Sequence, residues 1–227
     1  MVKKEKNRLF DSQSIDHKAV IDRLVVESSP RRTFLTMILI SSVIATLGLL
    51  NDSSAVVIGA MLVAPLLWPV LGVSMGVVVG DFKMIRLSLL SIVFSVLVAI
   101  VTAIAITFFY IPLGASAEII RQTNFGFMIP VAIGAGAAAA FALTYDNIKE
   151  AVTGVAISVA LLPPLVTIGI GLGGSDWSLM KRATELFGIN LAGVVVTALI
   201  IFLLLGFRKF SSEMRVAIKK EEKVLKG

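Results

Sequence analysis

Four prolines inside long apolar runs are the residues of this chain best placed to create a polar site in an apolar interior. Pro65 and Pro69 interrupt one run, and Pro163 and Pro164 interrupt another. A proline inside a helix removes one backbone donor and clashes with the carbonyl four residues earlier. In a medium without water, the freed carbonyls need a neighbouring helix, a trapped water or a ligand. The prolines therefore predict backbone oxygens that coordinate an ion or a small solute. The alternative is two kinks whose freed carbonyls are satisfied by packing within the protein.

Polar side chains near these prolines complete the candidate site. Asn190 lies well inside an apolar run and would hydrogen-bond to another helix or to a substrate. Asn51 and Asp146 each come shortly before a proline-containing run, where they would accept from amides at a helix start or attract cations. The candidate substrate- or ion-binding residues are Ala64, Pro65, Pro69, Ala160, Pro163, Pro164, Asn190, Asn51 and Asp146.

Catalytic and metal chemistry find little support in the sequence. The chain has no cysteine, which excludes disulfides and thiolate ligands, and its single histidine, His17, has no second histidine to share a metal. We expect His17 to be solvated on a polar helix face. Ser74 lies in a GxSxG pattern, but that motif needs a strand–turn–helix context and a nearby base, so Ser74 is interpreted as a packing residue. The sequence thus predicts no catalytic residue, metal or cofactor, and no enzyme.

The composition indicates what positions these residues. Apolar residues make up 57% of the chain and the mean hydropathy is +0.94, values typical of an integral membrane protein. A helix needs roughly 20 residues to cross about 30 Å of hydrocarbon. The sequence predicts an all-α membrane protein with six transmembrane helices. They are placed at about 33–50, 54–80, 87–110, 128–145, 151–174 and 186–207.

The charge distribution predicts the topology. The segment 1–32 carries eight Lys/Arg against five Asp/Glu, and the segment 208–227 carries seven against three. The positive-inside bias then places both termini in the cytoplasm of a cell-membrane protein, in agreement with an even number of crossings. Lys181 and Arg182 would lie outside and leave the order of the last two spans open. The basic pI is interpreted as topology and attraction to anionic lipid, and not as nucleic-acid binding.

An internal repeat relates the two proline-containing runs. When the sequence is shifted by 95 positions, glycines, prolines and aspartates coincide without a gap. Each copy would contain three crossings, so the second copy would enter the membrane from the opposite side, an architecture that recurs in transporters with broken central helices. The sequence therefore predicts two inverted three-helix repeats with proline-broken second and fifth helices. The coinciding pairs are Gly59 with Gly154, Pro69 with Pro164, Gly76 with Gly171 and Asp81 with Asp176.

Small and acidic residues around the second span suggest how its helices pack and end. Gly72, Gly76 and Gly80 recur every four residues, which places all three on one helix face and predicts close helix packing. Asp81 and Asp176 end the two proline-containing runs at equivalent positions. They are interpreted as caps of the following helices, with a gate as the alternative.

The polar flanks are expected to be helical. Residues 14–28 have an amphipathic pattern, with Ser14 as N-cap, and predict an interfacial helix or a contact with another subunit. The basic tail is expected to continue the last span into the cytoplasm. The predicted domains are a cytoplasmic leader 1–32, a first repeat 33–110, an external connection 111–127, a second repeat 128–207 and a cytoplasmic tail 208–227.

The runs VVIGAMLVAPLLWPVLG and GVAISVALLPPLVTIGIGL, with the later segment FGINLAGVVV, resemble a known family. It is the uncharacterised prokaryotic membrane-protein family called domain of unknown function 389, and the likeness covers roughly residues 35–205. The resemblance implies a multi-spanning helical membrane protein but no substrate or activity.

Two functional hypotheses follow. The first is a homo-oligomeric transporter or channel for an ion or small solute, with a midplane site between the broken helices. The second is a non-transporting scaffold or sensor, whose basic ends bind anionic lipid or a cytoplasmic partner.

Overall fold

A computed structural model describes residues 15–110, 128–145 and 155–226, without the side chains of 110, 128, 155–160 and 226. Every regular element within this part of the chain is helical, as predicted. The helices are α1 His17–Glu27, α2 Arg32–Leu50, α3 Ser54–Val63, α4 Leu67–Val79, α5 Phe82–Tyr110, α6 Met128–Thr144, α7 Val155–Gly173, α8 Trp177–Leu204 and α9 Ser211–Lys226. The first half of the bundle is α2–α5 and the second half is α6–α8.

Three of these helices are long and apolar enough to cross a membrane by themselves. They are α2, α5 and α8, and the bent pair α3–α4 makes a fourth span if it is counted as one. Helices α6 and α7 are shorter and apolar. The membrane class predicted from composition is therefore supported, whereas the count of six spans stays a prediction.

The second predicted span is divided into α3 and α4, whose axes differ by 51°. Ala64 has an extended backbone, with φ −74° and ψ 119°, and Pro65 follows it. The proline ring clashes with a helical conformation of the preceding residue, which explains why α3 ends at Val63. Pro69 does not contribute to the break, because it lies in the first turn of α4, where no intrahelical donor is needed.

The fifth predicted span differs from the expected broken helix. Helix α7 runs without interruption through Pro163 and Pro164. At the 95-residue offset, Ala160 takes the place of Pro65, so α7 lacks the proline that divides the second span. The Thr167 hydroxyl donates to the carbonyl oxygen of Pro163 over 2.8 Å within this stretch.

The corners that end α4 and α7 have the same hydrogen bonds 95 residues apart. The amide of Asp81 donates to Gly76 O over 2.9 Å, and that of Asp176 donates to Gly171 O over 2.7 Å. Each aspartate then accepts, through Oδ1, from the amide three residues later, at 3.0 Å for Met84 and 2.9 Å for Leu179. The predicted capping role of both aspartates is confirmed.

Two of the three glycines of the face predicted on α4 lie in close contact with α5. A Cβ atom at Gly72 would lie 2.3 Å from Ser88 Oγ, and one at Gly76 would lie 2.8 Å from the Ile85 side chain. These glycines allow α4 and α5 to approach closely. Gly80 ends α4 in a left-handed conformation, with φ +74°. No atom lies within 4 Å of its Cβ position, so it does not contribute to close packing.

The N-terminal helix is packed within its own chain. Its N-cap is Asp16, whose side chain accepts from Ala19 N at 3.0 Å, and not the predicted Ser14, which lies outside the described residues. Ile21 and Leu24 are fully buried, and α1 contacts α4 and α9. Helix α1 thus contributes to a buried apolar cluster of its own chain.

The tail does not continue the last span. Helix α8 ends at Leu204, Gly206 turns the chain with φ +80°, and a short 3-10 helix leads into α9. Helix α9 returns along α1, with Met214 and Ile218 buried. Burial of these apolar side chains explains why the tail forms the separate helix α9 instead of lengthening α8.

His17 is buried, and the expectation that it is solvated was wrong. Its Nδ1 lies 3.0 Å from Ile15 O, and its Nε2 lies 3.1 Å from Leu205 O at the end of α8. The ring stacks on Phe210 with centroids 4.3 Å apart. The imidazole is held here because a carbonyl at a helix end needs a donor, which His17 supplies from α1.

Candidate functional site

The beginning of α4 and the middle of α7 belong to one cluster of buried apolar side chains. Ala64, Leu66 and Val70 share this cluster with Leu161 and Leu165. Their side chains are at most 7% exposed. The two proline segments are therefore joined by an apolar seam, and its described side chains offer no polar group to a solute.

Contacts between the two halves repeat with the same 95-residue offset. Ser74 on α4 donates to Val195 O on α8 over 3.0 Å. The equivalent pair is Gly169 on α7 and Ile100 on α5, where a Cβ at Gly169 would lie 2.7 Å from Ile100 O. Ser74 is thus a packing residue, as expected, and it links the halves at a position where its counterpart has no side chain.

A cavity of about 370 Å³ opens at the break between α3 and α4. Its apolar wall includes Val63 and Pro65 from the break, with Phe34 and Met37 from α2. The cavity therefore reaches one of the predicted site residues, Pro65.

One side of the same cavity is mostly polar, and we call it the rim. It is lined by Glu27 and Ser29 near the end of α1 and by Arg31 and Thr33 near the start of α2. The cavity thus lies between this rim and the break in the divided helix, and its lining is partly charged and partly apolar.

Arg31 is fixed at the rim by Glu221 of α9. Its Nε donates to one carboxylate oxygen over 2.7 Å and its terminal nitrogen donates to the other. The Glu221 side chain is only 4% exposed. The hydrogen bond to this carboxylate, aided by its charge, raises the pKa of Arg31 above its ordinary value, so the guanidinium stays charged.

The remaining predicted site residues are not gathered around this cavity. Asn190 is buried on α8 with 1% exposure, and Pro163 and Pro164 are buried in α7. Asn51 is exposed, and its side-chain amide donates to Leu47 O over 2.8 Å. It therefore caps the end of α2, whereas the sequence suggested an acceptor for amides of the next helix or a group that attracts cations. Ala160 lies in α7 without a described side chain, and Asp146 lies outside the described residues.

The polar rim was missed by sequence reasoning. Arg31 is one of eight basic residues in the segment 1–32, and Glu221 is one of three carboxylates in the basic tail. Their pairing joins residues 190 positions apart and depends on the return of α9 along α1. A usable signal was the amphipathic pattern of the tail, which indicates that α9 has an apolar face to bury.

The fold and these features define a helical membrane protein with a divided central helix. The chain belongs to the family described as Domain of unknown function (DUF389), whose model matches residues 61–217. This confirms the resemblance noted in the sequence.

A similar protein is an uncharacterized protein of Methanocaldococcus jannaschii, 30% identical over 176 residues, which are 77% of this chain and 54% of that protein. The chain therefore spans about half the length of this relative. No solved structure matches the chain significantly.

Proposed function

We propose that this protein is a transporter or channel for an ion or small solute, with the cavity at the α3–α4 break as its entrance. The main support is this cavity, whose lining extends from a charged rim to a helix break. Pro65 has no amide hydrogen, so the carbonyl of Met61 lacks its helical donor at this point. Divided helices of this kind supply backbone oxygens to solutes in transporters.

The repeated corners and contacts support an inverted-repeat architecture for the six predicted spans. Two halves with equivalent ends and equivalent mutual contacts are suited to rocking against each other about a shared seam. The apolar seam described here then corresponds to a closed conformation. We further propose a homo-oligomer in the cell membrane with both termini in the cytoplasm, and no enzymatic role.

The proposal is tested by blocking the cavity. Val63→Trp places a large ring in the cavity wall, whereas Leu62→Trp, the control, places the same ring at a neighbouring position that is 54% exposed. Flux of Rb⁺, Na⁺, Cl⁻ and phosphate, and glycerol-driven swelling, are measured in liposomes. We expect at least one solute to pass through the parent protein and through the control. The same solute should pass about tenfold more slowly through Val63→Trp, as in a narrowed pore.

Two results would overturn the proposal. One is the absence of flux above empty liposomes for the whole panel, and the other is equal flux through Val63→Trp and the parent. Thermal unfolding of both tryptophan variants in detergent shows whether a loss of flux reflects blockage or loss of folded protein.

A scaffold or sensor is the second candidate, and the packing of α1 against α9 favours it. The two helices and the Arg31–Glu221 pair form a structured surface on the side of both termini. Deleting α1 cannot separate the candidates, because its buried side chains belong to the core. Glu221→Gln removes the ion pair with Arg31 without removing a helix. A change in the binding of a partner protein, with unchanged flux, would favour the scaffold.

A further inference from the structure

A second cavity lies at the corner between α4 and α5, next to α9. Its volume is about 260 Å³. Lys83 of α5 and Arg215 and Lys219 of α9 line it, with Gly80, Asp81 and Phe82 of the corner. Three cationic side chains from two helices thus surround one small space.

The acidic groups near this cavity are already engaged. Asp81 accepts from the amides of Lys83 and Met84, at 2.9 and 3.0 Å, as the cap of α5. Glu222 forms an exposed ion pair with Lys83 at 3.3 Å. Arg215 and Lys219 are exposed on α9. The cavity therefore has an excess of positive charge and presents the donors that a phosphate group needs.

The depth of the cavity in the membrane follows from α5. Phe82, the first residue of this helix, is 79% exposed beside the cavity. From Leu89 and Leu90 onward, the outward side chains of α5 are large and apolar, including Val93 and Leu97. Because such a face contacts lipid tails, the cationic turn before it lies at the level of the headgroups, where aromatic and basic side chains concentrate.

We propose that this cavity, called the corner site (Lys83, Arg215, Lys219 and Phe82), binds the phosphate of an anionic phospholipid from the surrounding bilayer. Arg215 and Lys219 hold the phosphate, Lys83 adds a positive charge that it shares with Glu222, and Phe82 contacts the glycerol and upper acyl region. Attraction of basic residues to anionic headgroups and the amphipathic reach of lysine and arginine provide the physical basis. Lipid binding at the corner site does not require that the protein transports a solute.

The chain contains a matched control at its other corner. Trp177 and Lys181 occupy the positions 95 residues after Phe82 and Arg86, and Trp177 is likewise 67% exposed. Removing two charges there changes the net charge by the same amount as removing Arg215 and Lys219. The comparison therefore separates a built site from general attraction between a basic protein and anionic lipid.

The experiment is native mass spectrometry of the full chain, released from detergent containing phosphatidylglycerol or phosphatidylcholine. We expect the parent to retain phosphatidylglycerol, and the double variant Arg215→Gln/Lys219→Gln to retain about tenfold less. The control Lys181→Gln/Arg182→Gln should retain as much as the parent. Arg215→Lys/Lys219→Arg should restore retention, and thermal unfolding should show that all variants are folded.

Several results would overturn the corner site. They are equal retention by parent and Arg215→Gln/Lys219→Gln, equal losses in the two glutamine double variants, and no preference for phosphatidylglycerol over phosphatidylcholine. Competition with inorganic phosphate separates the two sources of this chemistry. Displacement of the lipid by millimolar phosphate would indicate a site for free phosphate and overturn the lipid assignment.

Discussion

The two halves of the molecule use prolines differently in their central helices. Each contains two, yet only the first is divided, at Ala64–Leu66, whereas α7 is continuous. Their surroundings also differ. Ile58 and Leu62 of α3 are 47% and 54% exposed, while α7 is enclosed by α2, α3, α5, α6 and α8.

These surroundings indicate that packing helps to decide whether a proline divides a helix. Leu161, Leu162 and Leu165 around the prolines of α7 are at most 1% exposed. Leaving the helical path there would expose these side chains, at roughly 1.5–3 kcal/mol for each fully buried leucine. In α3, the exposed side loses little when the chain turns, so the preference of the residue before Pro65 decides the conformation.

The largest expected effect comes from copying the dividing proline into the second half. Ala160→Pro places a proline in α7 at the position equivalent to Pro65. We expect it to destabilise the protein by about 3 kcal/mol, the typical cost of a proline within a helix. Thermal unfolding and helix content by circular dichroism measure the change. An unchanged unfolding temperature would contradict the view that packing around α7 requires a continuous helix.

A smaller effect is expected where the halves meet. Gly169→Ala brings a Cβ within 2.5 Å of Ala103 Cβ and 2.7 Å of Ile100 O, so α5 and α7 must separate. We expect a loss of about 2 kcal/mol, as for other overpacked interiors. Gly134→Ala on α6 is the control, because nothing lies within 4 Å of its Cβ position and alanine favours a helix. Equal unfolding temperatures for the two variants would show that this contact is loose.

The smallest effect on stability, with a larger one on flux, is expected from Pro65→Ala. The substitution restores an amide donor and removes the constraint on Ala64, so α3 and α4 can straighten and narrow the cavity. We expect the free energy of unfolding to change by less than about 1 kcal/mol, while flux falls. Pro130→Ala, at an exposed proline in the first turn of α6, is the control. Flux equal to that of the parent would remove the break from the proposed pathway.

Local chemistry explains which parts of this fold were predictable from sequence. The aspartate caps, the packing of Gly72 and Gly76 and the division at Pro65 each depend on a few neighbouring residues. The burial of His17 does not, because its partners are distant in the chain. The continuity of α7 depends both on such distant partners and on the lack of a proline at position 160. The absence of a proline at position 160 was visible in the repeat, and it was the sequence signal against a break there.

The candidate site was predictable to a similar extent. Pro65 was identified from its helix-breaking chemistry, and the cavity lies beside it. The charged rim requires Glu221 to approach Arg31, which no local pattern indicates. Asn51 shows the opposite failure, since an amide side chain at a helix boundary can cap either the helix before it or the one after it.

The burial of His17 has a practical consequence for following this protein in solution. It is the chain's single histidine, and its ring joins α1 to the end of α8 between two phenylalanines. Its imidazole protons will therefore give one set of ring-shifted NMR signals, without any introduced label. Those signals report directly whether the N-terminal helix stays docked while solutes or lipids are added.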